Sequence, residues 1–129
     1  MIEIYTDAAT RNNPGPSGIG VFIKSSKEQH NLSEYIGHYS NHEAEFIAVI
    51  KALEFCQERY PNEILSFRSD SKVVVETIEK RYTKNQAFQI LLNKVNQLSA
   101  AFPYIFIKWI PEKQNGTADQ LAKAAIKNQ

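Results

Sequence analysis

The chain has 129 residues, a length that fits one compact domain and is too short for two of ordinary size. Hydrophobic residues make up 43% and charged residues 22% of it, a globular composition that excludes disordered and collagen-like chains. The formal net charge is +1, but residues 1–64 hold five Lys/Arg against nine Asp/Glu, and residues 65–129 hold ten against five. We therefore expect a single domain over residues 1–129 with one acidic and one basic surface.

Cysteine content and hydropathy predict where the protein resides. The only cysteine, Cys56, has no partner for an internal disulfide, which favours a reducing compartment. The amino terminus lacks the basic and apolar regions of a signal peptide, and no apolar run reaches the ~20 residues of a membrane-spanning helix. These features predict a cytoplasmic protein that does not bind a membrane, and we expect a monomer.

The first half of the chain predicts strands followed by one long helix. Apolar patterning predicts three successive strands, at residues 1–9, 18–23 and 30–37. The dense turn signal at residues 11–16 separates the first two strands. A helix over about residues 41–58 follows, opened by a capping box with Ser40 at the N-cap and Glu43 at the third helical position.

The second half predicts two further strands and three helices. In chain order they are a strand at 64–67, helices at about 71–79 and 85–100, a strand at 104–110, and a helix opened by a second capping box, Thr117 to Gln120. The succession βββαβααβα is typical of a mixed sheet whose later strands run parallel to the first, with helices on its faces.

Two aspartates stand where strands usually avoid them. Asp7 and Asp70 each end a predicted strand, and if those strands are parallel neighbours the two carboxylates meet at one edge of the sheet. Carboxylates without histidine or thiolate partners suit a hard cation such as Mg²⁺. Each residue also has a structural interpretation, Asp70 as a helix N-cap and Asp7 as a turn residue.

Other acids leave alternatives open. The helix at 41–58 offers Glu43 and Glu45 beside its apolar stripe, and periodicity does not choose between them. The capping box gives Glu43 a structural role, which leaves Glu45 free. Asp119 lies in the first turn of the last helix, where it can simply stabilise the helix dipole.

Four motifs in chain order resemble those of type 1 ribonucleases H along essentially the whole chain. They lie at residues 5–9 with 13–18, at 41–46, at 69–71 and at 115–122. The resemblance implies an α/β protein with the ribonuclease H fold, a five-stranded mixed sheet of order 3-2-1-4-5 with strand 2 antiparallel and helices on both faces. It also implies an endonuclease that cuts the RNA strand of RNA–DNA hybrids.

The resemblance further implies a two-metal-ion mechanism with Mg²⁺, for which Mn²⁺ can substitute. The metal ligands and catalytic residues are then Asp7, Glu45, Asp70 and Asp119. The substrate-binding residues are Asn13, Ser40, Asn41 and Ser71. We expect the four carboxylates to repel one another without cations, because none has an obligatory Lys or Arg partner. Asn13 also has an alternative role in turn chemistry.

The sequence departs from the family pattern in three places. The loop at 109–115 has no histidine, and Glu112 is either its replacement or, as we favour, a solvated loop acid. His42 and Glu43 replace the usual Asn and Arg of the helix motif. The basic cluster of Lys80, Arg81 and Lys84 lies in a segment too short for the family's basic protrusion.

These departures leave two alternative hypotheses. One is a nucleic-acid-binding protein of this fold with little or no catalytic activity. The other is a metal-independent protein whose acids are paired with Lys and Arg.

Overall fold

The structure, a computed structural model, describes residues 1–127 and 129. Its elements, in chain order, are β1 (Ile2–Thr10), β2 (Gly15–Lys24), β3 (Gln29–Tyr39), α1 (Asn41–Arg59), β4 (Leu65–Ser69), α2 (Lys72–Lys80), α3 (Gln86–Ser99), β5 (Ile105–Trp109), a 3₁₀ turn (Glu112–Gln114) and α4 (Gly116–Ile126). The predicted strands and helices are confirmed in type and order, and the 3₁₀ turn is additional. Within the described residues, no helix is both long enough and apolar enough to cross a membrane.

The five strands form one mixed sheet of order β3-β2-β1-β4-β5. Strand β2 is antiparallel to β1 and β3, whereas β4 is parallel to β1 and β5 is parallel to β4. The predicted topology is therefore confirmed. Because the pairing of β1 with β4 ends at Thr6 and Ser69, the next residues, Asp7 and Asp70, lie side by side at the carboxyl end of β4. The expectation that Asp7 ends its strand, and the alternative that it is a turn residue, are wrong, since β1 continues to Thr10 and Asp7 pairs with Gly20 of β2.

One face of the sheet packs against α1. Strand side chains that alternate toward this helix, such as Ile4 and Val21, are fully buried in one hydrophobic cluster with Phe46 and Leu53 of α1. The apolar stripe predicted for this helix is thus the core-facing stripe. Its burial anchors α1, whose first turn also points toward the carboxyl edge of β1 and β4.

The other face is covered by α4, which packs on β1, β2 and β3. The close approach requires glycine in β2. A Cβ added at Gly20 would lie 2.1 Å from the carbonyl oxygen of Ala118, and one added at Gly18 would lie 2.6 Å from Cβ of Ala125. Helices therefore lie on both faces, and this contact holds the first turn of α4 beside the end of β1.

The helix starts were predicted with mixed success. The capping box of α1 is confirmed, since Ser40 Oγ accepts a hydrogen bond from the Glu43 N–H at 3.2 Å and the Ser40 N–H donates to Glu43 Oε1 at 3.0 Å. The second box, from Thr117 to Gln120, is wrong. Helix α4 already begins at Gly116, with Asn115 at its N-cap and no side-chain cap. The 3₁₀ turn leads directly into α4, which places Thr117 inside the first turn.

Candidate active site

Three carboxylates converge at the carboxyl edge of the sheet. Asp7, Glu45 and Asp70 each offer one oxygen, and these three oxygens lie within 4.8 Å of one another. They come from β1, from the first turns of α1 and from the residue after β4. The structure thus brings together three of the four acids predicted as metal ligands, in an arrangement that can hold a divalent cation.

The structure distinguishes between the alternative roles that the sequence left open for these acids. Glu45 is only 5% exposed and lies in the acidic cluster, whereas Glu43 is held in the capping box. The N-cap of α2 is Ser71, whose Oγ accepts a hydrogen bond from the Val74 N–H at 3.3 Å. The alternative interpretation of Asp70 as that N-cap is therefore wrong.

The fourth predicted acid, Asp119, lies at the margin of the cluster. It lines the same cleft of about 430 Å³ as Asp7, Glu45 and Asp70. Its carboxylate forms an ion pair with Lys123 of α4, with 2.9 Å between Oδ2 and Nζ. The expectation that none of the four acids has a Lys or Arg partner is therefore wrong for Asp119, because one helical turn separates the two residues.

Burial and mutual repulsion raise the pKa values of the clustered acids. The pKa of Asp7 is raised to about 7, first by burial and then by the charges of Asp70 and Asp119. The pKa of Glu45 is raised well above its usual value by burial and by the charge of Asp7. Clustered carboxylates repel one another, and a hard divalent cation, which prefers oxygen ligands, stabilises such a cluster.

The pKa of Asp70 is also raised, but a hydrogen bond offsets part of the effect. Burial is the largest cause of its raised pKa, and the charge of Glu112 also raises it. A hydrogen bond from Asn115 acts in the opposite direction. Glu112 is exposed, yet it lines the cleft close to the acids rather than pointing away from them.

The predicted substrate-binding residues fall into two groups. Asn13, Ser40 and Asn41 meet at the start of α1, where Asn13 Oδ1 accepts a hydrogen bond from the Asn41 N–H at 2.8 Å. Asn41 also lines the cleft. Ser71 does not join them, because it is 9% exposed and its hydroxyl caps α2.

Comparison with known proteins relates this site to a family. A family model described as reverse transcriptase-like matches residues 5–125. The EbsB protein of Enterococcus faecalis is 44% identical over 127 residues, covering 98% of this chain and 94% of that protein. A ribonuclease H of Actinobacillus succinogenes is 31% identical over 148 residues, covering 99% of this chain and 91% of that protein. The chain belongs to the ribonuclease H family.

Solved structures agree with this assignment. The crystal structure of LC11-RNase H1 in complex with RNA/DNA hybrid matches this chain with a TM-score of 0.92 at 33% identity, covering 98% of this chain and 97% of that one. The expected family and the expected enzyme class, a ribonuclease H, are both confirmed.

Sequence reasoning assigned no role to Asn115 of this ribonuclease H. Its Nδ2 donates to the carbonyl oxygen of Thr6 at 2.9 Å and to Asp70 Oδ2 at 3.4 Å. The side chain is 1% exposed and thus connects the end of β1 to the acid after β4. The signal was its place in the fourth motif, but only the fold shows which groups its amide reaches. We interpret Asn115 as a positioning residue for Asp70.

Two further cleft residues were also missed. The indole Nε1–H of Trp109 donates to the backbone carbonyl oxygen of Asp70 at 3.1 Å. The ammonium of Lys72 lies 5.1 Å from the centre of the Trp109 ring, within cation–π range. Both residues line the cleft, so Lys72 places a positive charge beside the acids.

Replacing Asn115 with Ala should lower the free energy of unfolding by about 1–3 kcal/mol. The substitution leaves the buried Thr6 carbonyl without this donor and removes the hydrogen bond that lowers the pKa of Asp70. Urea denaturation of the metal-free protein measures the change. Gln114→Ala, at the exposed neighbouring position, serves as the control and should stay within about 0.5 kcal/mol of the wild type. Equal stability of the Asn115 and Gln114 variants would contradict the positioning role.

Proposed function

We propose that this ribonuclease H is a divalent-metal-dependent endonuclease that hydrolyses the RNA strand of RNA–DNA hybrids. The observation that carries the proposal is the convergence of Asp7, Glu45 and Asp70 within 4.8 Å at the sheet edge. The family relationship indicates the reaction class, and the carboxylates of the cleft suit the divalent metal that this reaction would use.

We infer that the carboxylates bind two Mg²⁺ ions, with Mn²⁺ as a substitute. Asp7, Glu45 and Asp70 would hold the ions, and Asp119 would complete the ligand set from the margin of the cleft. Bound metal lowers the pKa of an attacking water and stabilises the leaving oxygen of a phosphodiester. The protein's contribution is to hold the carboxylates in place, which the buried positions of Asp7 and Glu45 favour.

Residues around the acids would bind the hybrid. Asn13 and Asn41 lie together at the start of α1, where the helix dipole favours a phosphate and their side-chain amides can donate hydrogen bonds to it. Polar groups there can also reach the 2′-hydroxyls that distinguish RNA from DNA across a wide minor groove. Lys72, held near the Trp109 ring, is placed to neutralise a phosphate entering the cleft.

One observation favours a second candidate, a hybrid-binding protein with little or no catalytic activity. The loop that follows β5 contains no histidine to assist proton transfer or product release. Glu112 lies in that loop and lines the cleft, so an acid occupies the region instead. The complete set of four acids supports catalysis more strongly than the missing histidine opposes it.

A cleavage assay separates the two candidates. The purified protein is incubated in Mg²⁺ and in Mn²⁺ with a labelled RNA–DNA hybrid, duplex DNA, duplex RNA and each single strand. Endonucleolytic cuts confined to the RNA strand of the hybrid are expected. Binding to the hybrid without cleavage in either metal would favour the second candidate, and cleavage of all substrates would contradict hybrid selection.

The basic cluster of Lys80, Arg81 and Lys84 should contribute to hybrid affinity through phosphate contacts. All three side chains are exposed at the end of α2 and just beyond it. Each contact adds about −0.9 to the slope of log affinity against log salt for B-DNA, so removing three charges should flatten the slope by up to ~2.7. Binding of the hybrid without metal, measured over a salt series, gives the slope.

The variant is designed to keep the backbone. Lys80 and Lys84 are changed to Ala, whereas Arg81 is changed to Asn because its φ of 56° lies in the left-handed region. Lys27→Ala in the exposed β2–β3 turn controls for the loss of one positive charge outside the cluster and should leave the slope nearly unchanged. If the triple variant leaves the salt slope unchanged, the phosphate contacts lie elsewhere on the surface.

A further inference from the structure

The sheet face on the α4 side extends beyond the area that α4 covers. Gly20 of β2 faces α4, and Phe22, two residues later, points to the same face. Cross-strand register then defines a row across four strands: Phe22, Tyr5, Arg68 and Lys108. A second row on the same face consists of Lys24, Glu3, Ser66 and Phe106. We call these two rows, together with Tyr104, the open sheet face.

Aromatic rings occupy both ends of the open sheet face. Tyr104 and Phe106 are 57% and 48% exposed, and their ring centres lie 4.5 Å apart. Tyr5 and Phe22 form a second pair at 5.8 Å. A cavity of about 260 Å³ adjoins this second pair and the first turn of α4. Tyr5 and Phe22 are half-buried, so Tyr104 and Phe106 are the pair that provides an exposed, flat apolar platform.

Positive charge predominates among these rings. Arg68 lies 5.3 Å from the centre of the Tyr5 ring and forms an ion pair with Glu3, the single acid in the two rows. Lys24 and Lys108 are close enough that their charges lower the pKa of Glu3, after the larger effect of its hydrogen bond from Arg68. With Glu3 neutralised by Arg68, the two lysines give the face an excess of positive charge.

We infer that the open sheet face binds single-stranded DNA, with bases stacked on Tyr104 and Phe106 and phosphates beside Lys24 and Lys108. Aromatic platforms combined with cations are the features by which proteins bind single strands without reading sequence. The inference of DNA rests on the proposed function, because cutting the RNA strand of a hybrid leaves the DNA strand intact. The row with Glu3 lies four residues before Asp7, about 13 Å along β1, and the row with Tyr5 lies two residues before it, about 7 Å. The face therefore adjoins the acidic cleft, but its residues are not among those that line the cleft.

The direct test measures binding of an oligothymidylate of about 12 nucleotides to the wild-type protein in EDTA, by fluorescence anisotropy at low salt. Phe106→Ala should weaken binding about fivefold or more. The double variant of Lys24 and Lys108 to Ala should flatten the salt slope by about 1.4, at about 0.7 for each single-strand phosphate contact. These measurements need no cleavage, so they are independent of the proposed reaction.

Two control variants test whether binding occurs at the open sheet face. Tyr35→Ala on β3 removes another exposed ring, 41% exposed, and Lys94→Ala on α3 removes another exposed charge. Both should bind as the wild type does. Photocrosslinking of the unmodified protein with bromodeoxyuridine-substituted DNA should label Tyr104 or Phe106. This experiment does not depend on any variant folding correctly.

Three results would overturn the inference. Binding that is insensitive to Phe106→Ala but lost in Lys72→Ala would place the strand in the cleft. Self-association in sedimentation experiments that Phe106→Ala abolishes would assign the face to a second copy of the chain. Markedly tighter binding of the matching oligouridylate would assign it to RNA.

Discussion

Replacing Asp7 with Asn should reduce hybrid cleavage by about a thousandfold or more while the protein remains folded. The carboxylate shares one site with Glu45 and Asp70, and the amide that replaces it cannot neutralise a divalent cation. The substitution keeps nearly the same shape, so the sheet edge should persist. Asp70→Asn should have an effect of similar size, for the same reason. Single-turnover cleavage of a hybrid in Mg²⁺, with circular dichroism to verify folding, measures both.

Helix α1 provides a matched pair of control variants. Glu45→Gln should abolish cleavage as Asp7→Asn does, because Glu45 belongs to the acidic cluster. Glu43→Gln, two residues earlier on the same helix, should lower stability by ~1 kcal/mol at most and leave the rate within a few-fold of the wild type, because Glu43 acts in the capping box. Near-wild-type cleavage by the Asp7 variant, or equal losses in the two glutamate variants, would refute the assigned site.

The metal-free protein should lose stability as pH rises from about 4 to about 7. The pKa of Asp7 is raised from 3.8 to about 7 in the folded state, so the folded state binds more protons than the unfolded state in this window. The free energy of unfolding therefore falls with increasing pH, by as much as ~4 kcal/mol from this residue. Glu45 and Asp70, whose pKa values are also raised, act in the same direction.

Divalent metal and Asp7→Asn should each reduce this loss of stability. Metal that binds only the folded state adds about 2.7 kcal/mol at 100 times its Kd, and it binds better at about pH 8, where the carboxylates are ionised. Asp7→Asn should raise the melting temperature of the metal-free protein at that pH, because it removes the buried charge. Thermal melts of both proteins at about pH 5 and pH 8, with millimolar Mg²⁺ or with EDTA, measure these effects.

Glu43→Gln again serves as the control, because Gln can also accept the capping-box hydrogen bond and the small effect of the substitution should be the same at both pH values. Destabilisation of the metal-free protein by Asp7→Asn, together with melts that Mg²⁺ does not shift, would indicate structural ion-paired acids. That result would contradict the metal site irrespective of family.

Local sequence signals determined the order and type of the elements of this protein. Hydrophobic periodicity and turn residues act over a few positions, and so they identified every strand and helix and the capping box at Ser40. The four motifs then indicated the family, and with it the sheet order that the structure confirms. All four acids could be named because they occupy the acidic positions of those motifs, and the structure brings Asp7, Glu45 and Asp70 together.

Tertiary structure alone decided how distant residues meet. The start of α4 depends on the 3₁₀ turn before it and on Asn115, whose amide reaches Thr6 and Asp70 across more than forty positions of sequence. The ion pair between Asp119 and Lys123, by contrast, is local and could have been recognised from its spacing. The cation–π contact of Lys72 with Trp109 and the two rows of the open sheet face arise from β4–β5 pairing and register. Such contacts join segments that are far apart in the chain. No local sequence pattern predicts them, because their distances depend on how the sheet and helices pack.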